Sequence, residues 1–304
     1  MDKIKENLYK NIDMLNTKNS KIHNIRENGK LISRKYTKEI EITNKEDKPG
    51  IIIKVKKGTK NKTVQIPVIV TDPGFNDFVY NDFLIEDNSE VTIYAGCAIH
   101  NDCDNDSSHS GIHTFKIGKN AKVKYIEKHF GCGTFSKKTI NTDTIIYLGE
   151  SSELSIETTQ IGGLEKANRK TSATLNQNSL LNIDEKLLTS DKENIKTSFN
   201  VKLLGKDSKC NIISKSIAKD NSKQEFTSIV SGLNKSFGHI ECDAILMDNA
   251  KVISTPKIVA CTKDANITHE ASIGKIAEEE IIKLMTMGLD EKEAETTIIR
   301  GFLN

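Results

Sequence analysis

The sequence contains no tryptophan and only four prolines, and aromatic residues make up just 5% of its 304 residues. This scarcity argues against aromatic-rich sandwiches and against nucleic-acid modules that stack bases on aromatic rings. No apolar run approaches the ~18 residues of a membrane-spanning helix, and residues 1–6 lack the apolar segment typical of a secretory signal. With a net charge of only +2, we expect a cytoplasmic protein that binds neither membranes nor nucleic acid.

Closely paired cysteines are also missing. The six cysteines are separated by 6, 29, 78, 32 and 19 residues, so the sequence holds no Cys-x-x-Cys motif. This spacing excludes a zinc ribbon and a dense disulfide framework, and it favours reduced thiols. The phosphate-binding motif Gly-x-x-x-x-Gly-Lys-Ser/Thr does not occur either. We therefore expect the chain not to hydrolyse ATP itself.

A short phrase recurs after residue 87, consisting of a turn that ends in a small residue and then a strand with alternating apolar positions. The small residues are Ser89, Ala121, Ser152, Ser179 and Ser208, and they are separated by 32, 31, 27 and 29 residues. Short strands at a near-constant period of about 30, with no helical pattern between them, exclude an alternating βαβ fold. The period predicts the stacked coils of a β-helix.

Helical patterns flank this all-β core. Apolar residues at helical spacing predict an N-terminal helix that ends near Thr17, and the polar stretch 17–32 reads as a linker. At the other end, Gly288 separates two helical patterns, the second of which opens with a capping box at Asp290. We therefore divide the chain into a helical segment (1–35), a β-helix core (36–274) and a C-terminal helical hairpin (275–304). Such a hairpin either caps the open end of the core or holds a partner.

One dense cluster of metal-ligand residue types spans residues 97–132, which hold four of the seven histidines and three of the six cysteines. Thiolates and imidazoles at this density suit soft transition metals or an iron–sulfur species. The spacing matches no standard zinc finger, and a polar loop would also explain several of these residues. The candidates are Cys97, Cys103 and Cys132, with His100, His109, His113 and His129 near them.

A second candidate site combines Cys242 with His269 and Glu270. Cys242 and His269 are 27 residues apart, about one coil, and successive coils place equivalent positions roughly 5 Å apart. Thiolate, imidazole and carboxylate together are suitable ligands for iron. The alternative is that Cys242 is a small buried residue and that His269 and Glu270 are an ordinary surface pair. Coil winding likewise predicts that Cys103 approaches Cys132 and that Cys210 approaches Cys242.

Several segments with nearly fixed spacing resemble the C-terminal part of the SufB/SufD family of iron–sulfur cluster assembly scaffolds. A weaker likeness at residues 110–121 extends the resemblance to residues 85–304. The segments that carry it are 242–246, 254–256, 269–276, 287–294 and 299–302.

The resemblance implies a right-handed parallel β-helix that acts as a non-enzymatic scaffold for a transient iron–sulfur cluster. It implies that Cys242 is the cysteine of the nascent cluster, that Glu270 is the acidic residue beside it, and that His269 is a histidine contributed across a subunit interface. It also implies that the C-terminal helices dock a SufC-like ABC ATPase. We expect a homodimer, in a 2:2 complex with the ATPase, that passes clusters to acceptor proteins. Cys97, Cys103 and Cys132 have no assigned role.

Two other functions remain open at this point. A zinc-binding β-helix protein would use Cys97, His100, Cys103 and His109. A β-helical carbohydrate-active enzyme would need a pair of carboxylates, and the chain offers only the loop residues Asp102, Asp104 and Asp106.

Overall fold

The computed structural model describes residues 3–134 and 137–303. Its helices are α1 (Lys3–Asn11), α2 (Glu278–Thr286) and α3 (Glu291–Leu303), with a short 3-10 helix at Thr17–Asn19. Its strands are β1 (His23–Glu27), β2 (Lys30–Lys35), β3 (Ile40–Asn44), β4 (Gly50–Val55), β5 (Lys62–Val70), β6 (Asn76–Ile85), β7 (Glu90–His100), β8 (Ser107–Ile117), β9 (Lys122–Cys132), β10 (Lys138–Leu148), β11 (Glu153–Ile161), β12 (Lys166–Leu175), β13 (Leu180–Thr189), β14 (Asn194–Leu203), β15 (Ser208–Ala218), β16 (Lys223–Gly232), β17 (Ser236–Leu246), β18 (Lys251–Ala260) and β19 (Ala265–Gly274).

The strands form two sheets that face each other. Sheet A runs in the order β19-β17-β15-β13-β11-β9-β7-β5-β1-β2, and sheet B in the order β18-β16-β14-β12-β10-β8-β6-β4-β3. From β4 to β19 successive strands alternate between the sheets, and within each sheet they pair in parallel, so each coil contributes one strand to each sheet. The result is a solenoid of about 8 turns. The predicted parallel β-helix with helices at both ends is confirmed.

The turn phrase found in the sequence forms one corner of each coil. At each of these corners the turn contains a residue with positive φ. These residues are Asn88, Asn120, Ser151, Asn178 and Asp207. The backbone N–H of each donates to a carbonyl of the next coil, as Asn120 does to Glu150. Asparagine, aspartate and, less often, serine tolerate this left-handed conformation. The small residue that follows is at most 1% exposed at all five corners, which explains why it must be small.

The inner faces of the two sheets enclose a continuous apolar core. It extends from Ile22 near the first coils to Cys242 near the last. In the early coils aromatic rings of register partners stack on each other, with the Phe83 and Phe115 centroids 4.2 Å apart. Burial of these inward side chains drives the coils together.

The N-terminal segment differs from the prediction. The helix α1 is present, but the stretch 17–32 is not a linker, because it contains β1 and the start of β2, which form an antiparallel hairpin. Strand β1 then joins sheet A through β5. The successive positions His23 and Asn24, on opposite faces of β1, are both polar although they are at most 2% exposed, so the segment lacks the apolar alternation that identifies a strand.

The C-terminal hairpin forms as predicted. Gly288 has φ +100 after α2, and Asp290 and Glu293 exchange two backbone-to-carboxylate hydrogen bonds of 2.8 and 3.0 Å that satisfy the first N–H groups of α3. The principal strand contact of α3 is with β15, where Lys215 lies over the Phe302 ring. The hairpin therefore lies beside the solenoid, and the last coil stays open to solvent along β18 and β19.

None of the helices in the described ranges is long and apolar enough to cross a lipid bilayer.

Candidate functional site

Cys242 lies on the inner face of the solenoid, one strand before its open end. It is 2% exposed, and in register it is aligned with Ser214 of β15 and Ala271 of β19. The alternation of buried and partly exposed residues along β17 places Cys242 inside with Ile240 and Ala244. Burial raises the pKa of the Cys242 thiol, and the Ser254 hydroxyl of the facing strand β18 acts in the opposite direction.

His269 lies on the same inner face of the neighbouring edge strand. It is aligned with Ile240 rather than with Cys242, so its imidazole is the diagonal neighbour of the thiol. The Nε2 atom of His269 is buried and has no hydrogen-bond partner within the described residues. Burial lowers the pKa of His269, and the nearby His239 lowers it further. A neutral imidazole with a free nitrogen lone pair is a competent metal ligand.

Glu270 points to the opposite side of the sheet. It is the register partner of Glu241 on the outer face, and Glu241 lies 3.7 Å from the imidazole of His239. Within one chain the structure therefore brings together Cys242 and His269 but not Glu270. Accordingly, the described ranges contain no group of three His, Cys, Asp or Glu side chains arranged to hold a metal.

A row of buried polar residues leads along the inside of the solenoid to Cys242. We call it the interior polar row, and its members are Glu127, Arg169, Glu185, Ser214 and Cys242. Arg169 lies 3.3 Å from Glu127 and 3.9 Å from Glu185, and the Ser214 hydroxyl donates to Glu185 over 2.8 Å. Each charge of the row therefore has a partner of opposite charge or a hydrogen bond, as burial requires.

The cluster at residues 97–132 does not form one site. Cys97 is buried on the inner face of β7, beside a cavity of about 30 Å³ that His109, His113, Glu127 and His129 also line. His109 is hydrogen-bonded to Asp77 at 3.0 Å, and Cys103 lies in the polar loop after β7. Strand β7 is five strands from β17 in sheet A, about 24 Å at the usual strand spacing. Cys97 therefore cannot share ligands with Cys242.

Two cysteine approaches inferred from coil winding differ from the observed register. Cys210 is aligned with Gly238, and Cys242 with Ser214, because the local period is 28 residues and the gap between the cysteines is 32. Cys132 is aligned with His100, not with Cys103, because the local period there is 32. The sequence reasoning missed the contact between His100 and Cys132. The repeat markers Ser89 and Ala121 are 32 residues apart, which is also the separation of His100 and Cys132, so this spacing could have predicted the contact.

Comparison with known proteins finds relatives that cover most of the chain. Residues 71–302 match the family model described as SUF system FeS cluster assembly, SufBD core domain. An iron-sulfur cluster assembly SufBD family protein of Methanocaldococcus jannaschii is 30% identical over 82% of this chain and 79% of its own length. One of Methanothermobacter thermautotrophicus is 26% identical over 84% of this chain and 62% of its own length. The SufB protein of Bacillus subtilis is 36% identical over 30% of this chain and 21% of its own length.

Fold and site together define a β-solenoid protein that carries, beside an open end, a buried thiol and an imidazole whose Nε2 has no hydrogen-bond partner among the residues that the structure describes. The chain belongs to the SufBD family, whose members take part in iron–sulfur cluster assembly by the SUF system.

We predict that the buried histidine His113 makes the protein less stable in acid. Burial lowers the pKa of His113 to about 4, against a weaker opposing effect of Glu127, so this side chain is neutral in the folded protein at neutral pH. The unfolded chain binds a proton at His113 below about pH 6.5, and stability therefore falls as the pH decreases from about 6.5 to about 4. Between pH 7 and pH 5 this one histidine should cost about 2 kcal/mol.

Urea unfolding of wild type, His113→Gln and His113→Leu at pH 7 and pH 5 measures this contribution. Both variants should lose less stability than the wild type on acidification, and by similar amounts, because neither side chain titrates. An equal loss in wild type and variants would show that His113 does not contribute to the acid sensitivity.

Proposed function

We propose that this chain is a scaffold on which an iron–sulfur cluster is built at Cys242 and His269, and that it works with a SufC-like ABC ATPase. One observation carries the proposal: a buried thiol lies one strand from the open end of the solenoid, and a buried imidazole nitrogen without a partner lies diagonally beside it. These are two ligands of the kind that iron accepts, at a place that a conformational change can expose.

To hold the cluster, which is its cargo, the scaffold must offer a deprotonated thiol as a ligand. Burial favours the neutral form of Cys242, so the thiol stays protonated and unreactive while it is buried. It loses its proton when iron binds, or when movement of the edge strand exposes it to water. Glu270 enters such a site only if the last strand moves. We propose that association through this exposed edge strand, which carries both His269 and Glu270, moves it.

Anaerobic reconstitution with iron and sulfide tests the site. Cys242→Ala should lose most of the cluster absorbance, and His269→Ala should lose part of it, since each variant lacks one ligand. Cys210→Ala is the matched control, because Cys210 is a similarly buried cysteine on the inner face of the adjacent strand. Equal absorbance in the wild type and Cys242→Ala would refute the assignment.

A second copy of the chain is the proposed neighbour of the open end. Both sheets end there in edge strands, β19 and β18, each 10 residues long, whose outward N–H and C=O groups lack a strand partner. Ile258 and Ile273 of these strands are 42% and 40% exposed. Long edge strands with exposed apolar residues favour pairing with another chain, and a two-fold arrangement continues both sheets.

Substituting Ile273 with lysine should therefore weaken dimerisation. The two copies would place like charges close together at the interface, and we expect the dissociation constant to rise by about tenfold or more. Analytical ultracentrifugation at several concentrations measures it. Ile161→Lys is the control, because Ile161 is 50% exposed on β11, far from the end. Unchanged association of Ile273→Lys would contradict dimerisation through this edge.

The C-terminal hairpin is the proposed docking site for the ATPase. In α2 no residue is buried, and the apolar side chains of Ile282 and Met285, about one turn apart, are 58% and 43% exposed. An exposed apolar helix face of this kind is typical of a surface that packs into a partner's groove. The helix lies beside the solenoid, so a docked ATPase leaves the open end free.

Ile282→Glu should reduce binding of a SufC-like ATPase by about tenfold or more, because it places a charge at the centre of an apolar contact. Co-purification and calorimetry with the wild type, Ile282→Glu and the control Ile161→Glu measure this effect. If all three bind alike, the ATPase docks elsewhere or is not a partner.

The alternative functions have less support. The four residues of the zinc hypothesis are divided between the interior, the outer face and a polar loop, and no three-ligand group exists among the described side chains. All six cysteines are free thiols, as expected in a reducing compartment, and we propose a cytoplasmic location on this basis.

A further inference from the structure

The outer faces of the two sheets differ in how far the helices cover them. The principal strand contacts of α1 are with β5 and β7, and that of α3 is with β15, and all three strands belong to sheet A. Along β12 and β14 of sheet B, exposed or partly exposed residues alternate with buried ones. The outer face of sheet B is therefore an open surface of in-register strands in these coils.

Seven lysines project from this surface on four neighbouring strands, which pair in register. The outward positions of the same strands carry a single carboxylate, that of Glu225. We call this surface the lysine face, and its lysines are Lys166, Lys170, Lys196, Lys202, Lys223, Lys251 and Lys257. The whole chain has a formal net charge of only +2, so the rest of the chain is net negative and the positive charge is concentrated here.

Charges alternate across the first coils of sheet A but not across the lysine face. In sheet A, Glu90, Lys122 and Glu153 form one register row of alternating sign, as cross-strand pairing favours. On the lysine face, Lys223 and Lys251 are direct register partners, a like-charge pair that costs stability. Within the part of the chain that the structure describes, four of the seven lysines form no ion pair, and these are Lys170, Lys202, Lys251 and Lys257. Such unbalanced charge attracts a partner of opposite charge.

The lysine face has the size of a protein docking surface and ends beside the proposed cluster site. Its four strands are each 10 residues long, and at the usual strand spacing they cover roughly 600 Å². One partner contributes about 800 Å² to a standard interface. The last strand, β18, carries Ser254 on its inner side, aligned with the buried Phe226, and the Ser254 hydroxyl acts on the pKa of the Cys242 thiol. A protein docked on the lysine face therefore reaches the region of the cluster site.

The composition of the lysine face favours a protein partner over nucleic acid or a membrane. Its outward positions hold neither an aromatic ring nor an arginine, the groups on which single-stranded nucleic acid stacks. A sheet face also has no projecting element that enters a major groove. Small polar residues such as Asn168, Ser198 and Asn200 lie between the lysines, in place of the large apolar residues that anchor a peripheral protein in lipid.

We propose that the lysine face is the docking surface for an acidic acceptor protein, the protein that takes the assembled cluster. This inference rests on the proposed function and deepens it, because it names the surface and the charge of one partner. Lysine charges on a polar surface increase the rate of association more than the affinity, which suits a partner that docks and leaves. The ATPase surface proposed above lies on the hairpin beside sheet A, so both partners can be bound at once.

Binding of an apo-ferredoxin chosen for its excess of carboxylates tests the surface, with the full chain at low and at physiological ionic strength. The face variant combines Lys166→Gln, Lys170→Gln and Lys202→Gln. The control variant combines Lys119→Gln, Lys122→Gln and Lys124→Gln, at exposed lysines of sheet A and its corner. Both variants lose the same amount of charge. We expect the dissociation constant to rise about tenfold in the face variant and less than about twofold in the control.

Two further measurements identify the cause of the effect. Arginine at the same three positions of the face should retain binding, because the charge is kept, and physiological ionic strength should weaken binding by the wild type. Urea unfolding verifies that each variant is folded. Cluster reconstitution should be unchanged in the face variant, since its lysines lie outside the solenoid, so a failure of docking is distinguishable from a failure of the site at Cys242.

Equal weakening in the face and control variants would overturn the inference, because it would reveal an effect of total charge. Absence of apo-ferredoxin binding by the wild type at low ionic strength would overturn it as well. Single-stranded DNA and vesicles of equal parts phosphatidylcholine and phosphatidylserine are tested with the same variants. If the face variant loses binding to either of these while its binding of apo-ferredoxin is unchanged, the lysine face serves another class of ligand and the inference is wrong.

Discussion

In-register pairing between successive coils is the constraint on which the rest of the structure depends. Each residue of a strand lies beside one residue of the coil before and one of the coil after, so a side chain inside one coil is stacked on a fixed pair of neighbours. The positive-φ corners maintain this register, because a change of one residue would turn every inward side chain outward. The same pairing brings His100 to Cys132 and places His269 diagonally beside Cys242.

The interior of this solenoid is not uniformly apolar, because the interior polar row extends along it toward the open end. Burying Arg169 between Glu127 and Glu185 requires compensation of each charge, and the row continues through Ser214 to the thiol of Cys242. A solenoid stabilised only by stacked aliphatic residues would not need these groups. Their alignment toward the open end links the stable middle of the fold to the region where we place the cluster.

Sequence reasoning predicted the coils because their corners have a local signature, a turn residue followed by a small buried residue such as Ser152 or Ser179. It proposed Cys242 and His269 as a site from a spacing of about one coil, and the family resemblance then assigned their roles. The spacing of 27 differs from the true register of 29, so His269 lies diagonally to Cys242 and not opposite it. The interior polar row escaped detection because a charged residue within a strand, such as Glu185, normally indicates a solvent-facing position. The hairpin of β1 and β2 was missed because the successive buried residues His23 and Asn24 of β1 are both polar.

The two ends of the solenoid differ in a way that limits assembly. At the first coils the edges are β2 and β3, only 6 and 5 residues long, and β2 carries Lys30, Arg34 and Lys35. Short, basic, antiparallel edges resist further strand addition. In the proposed dimer, two copies joined through their last coils would present only such ends to solvent, so growth would stop at a closed pair and would not continue into a filament.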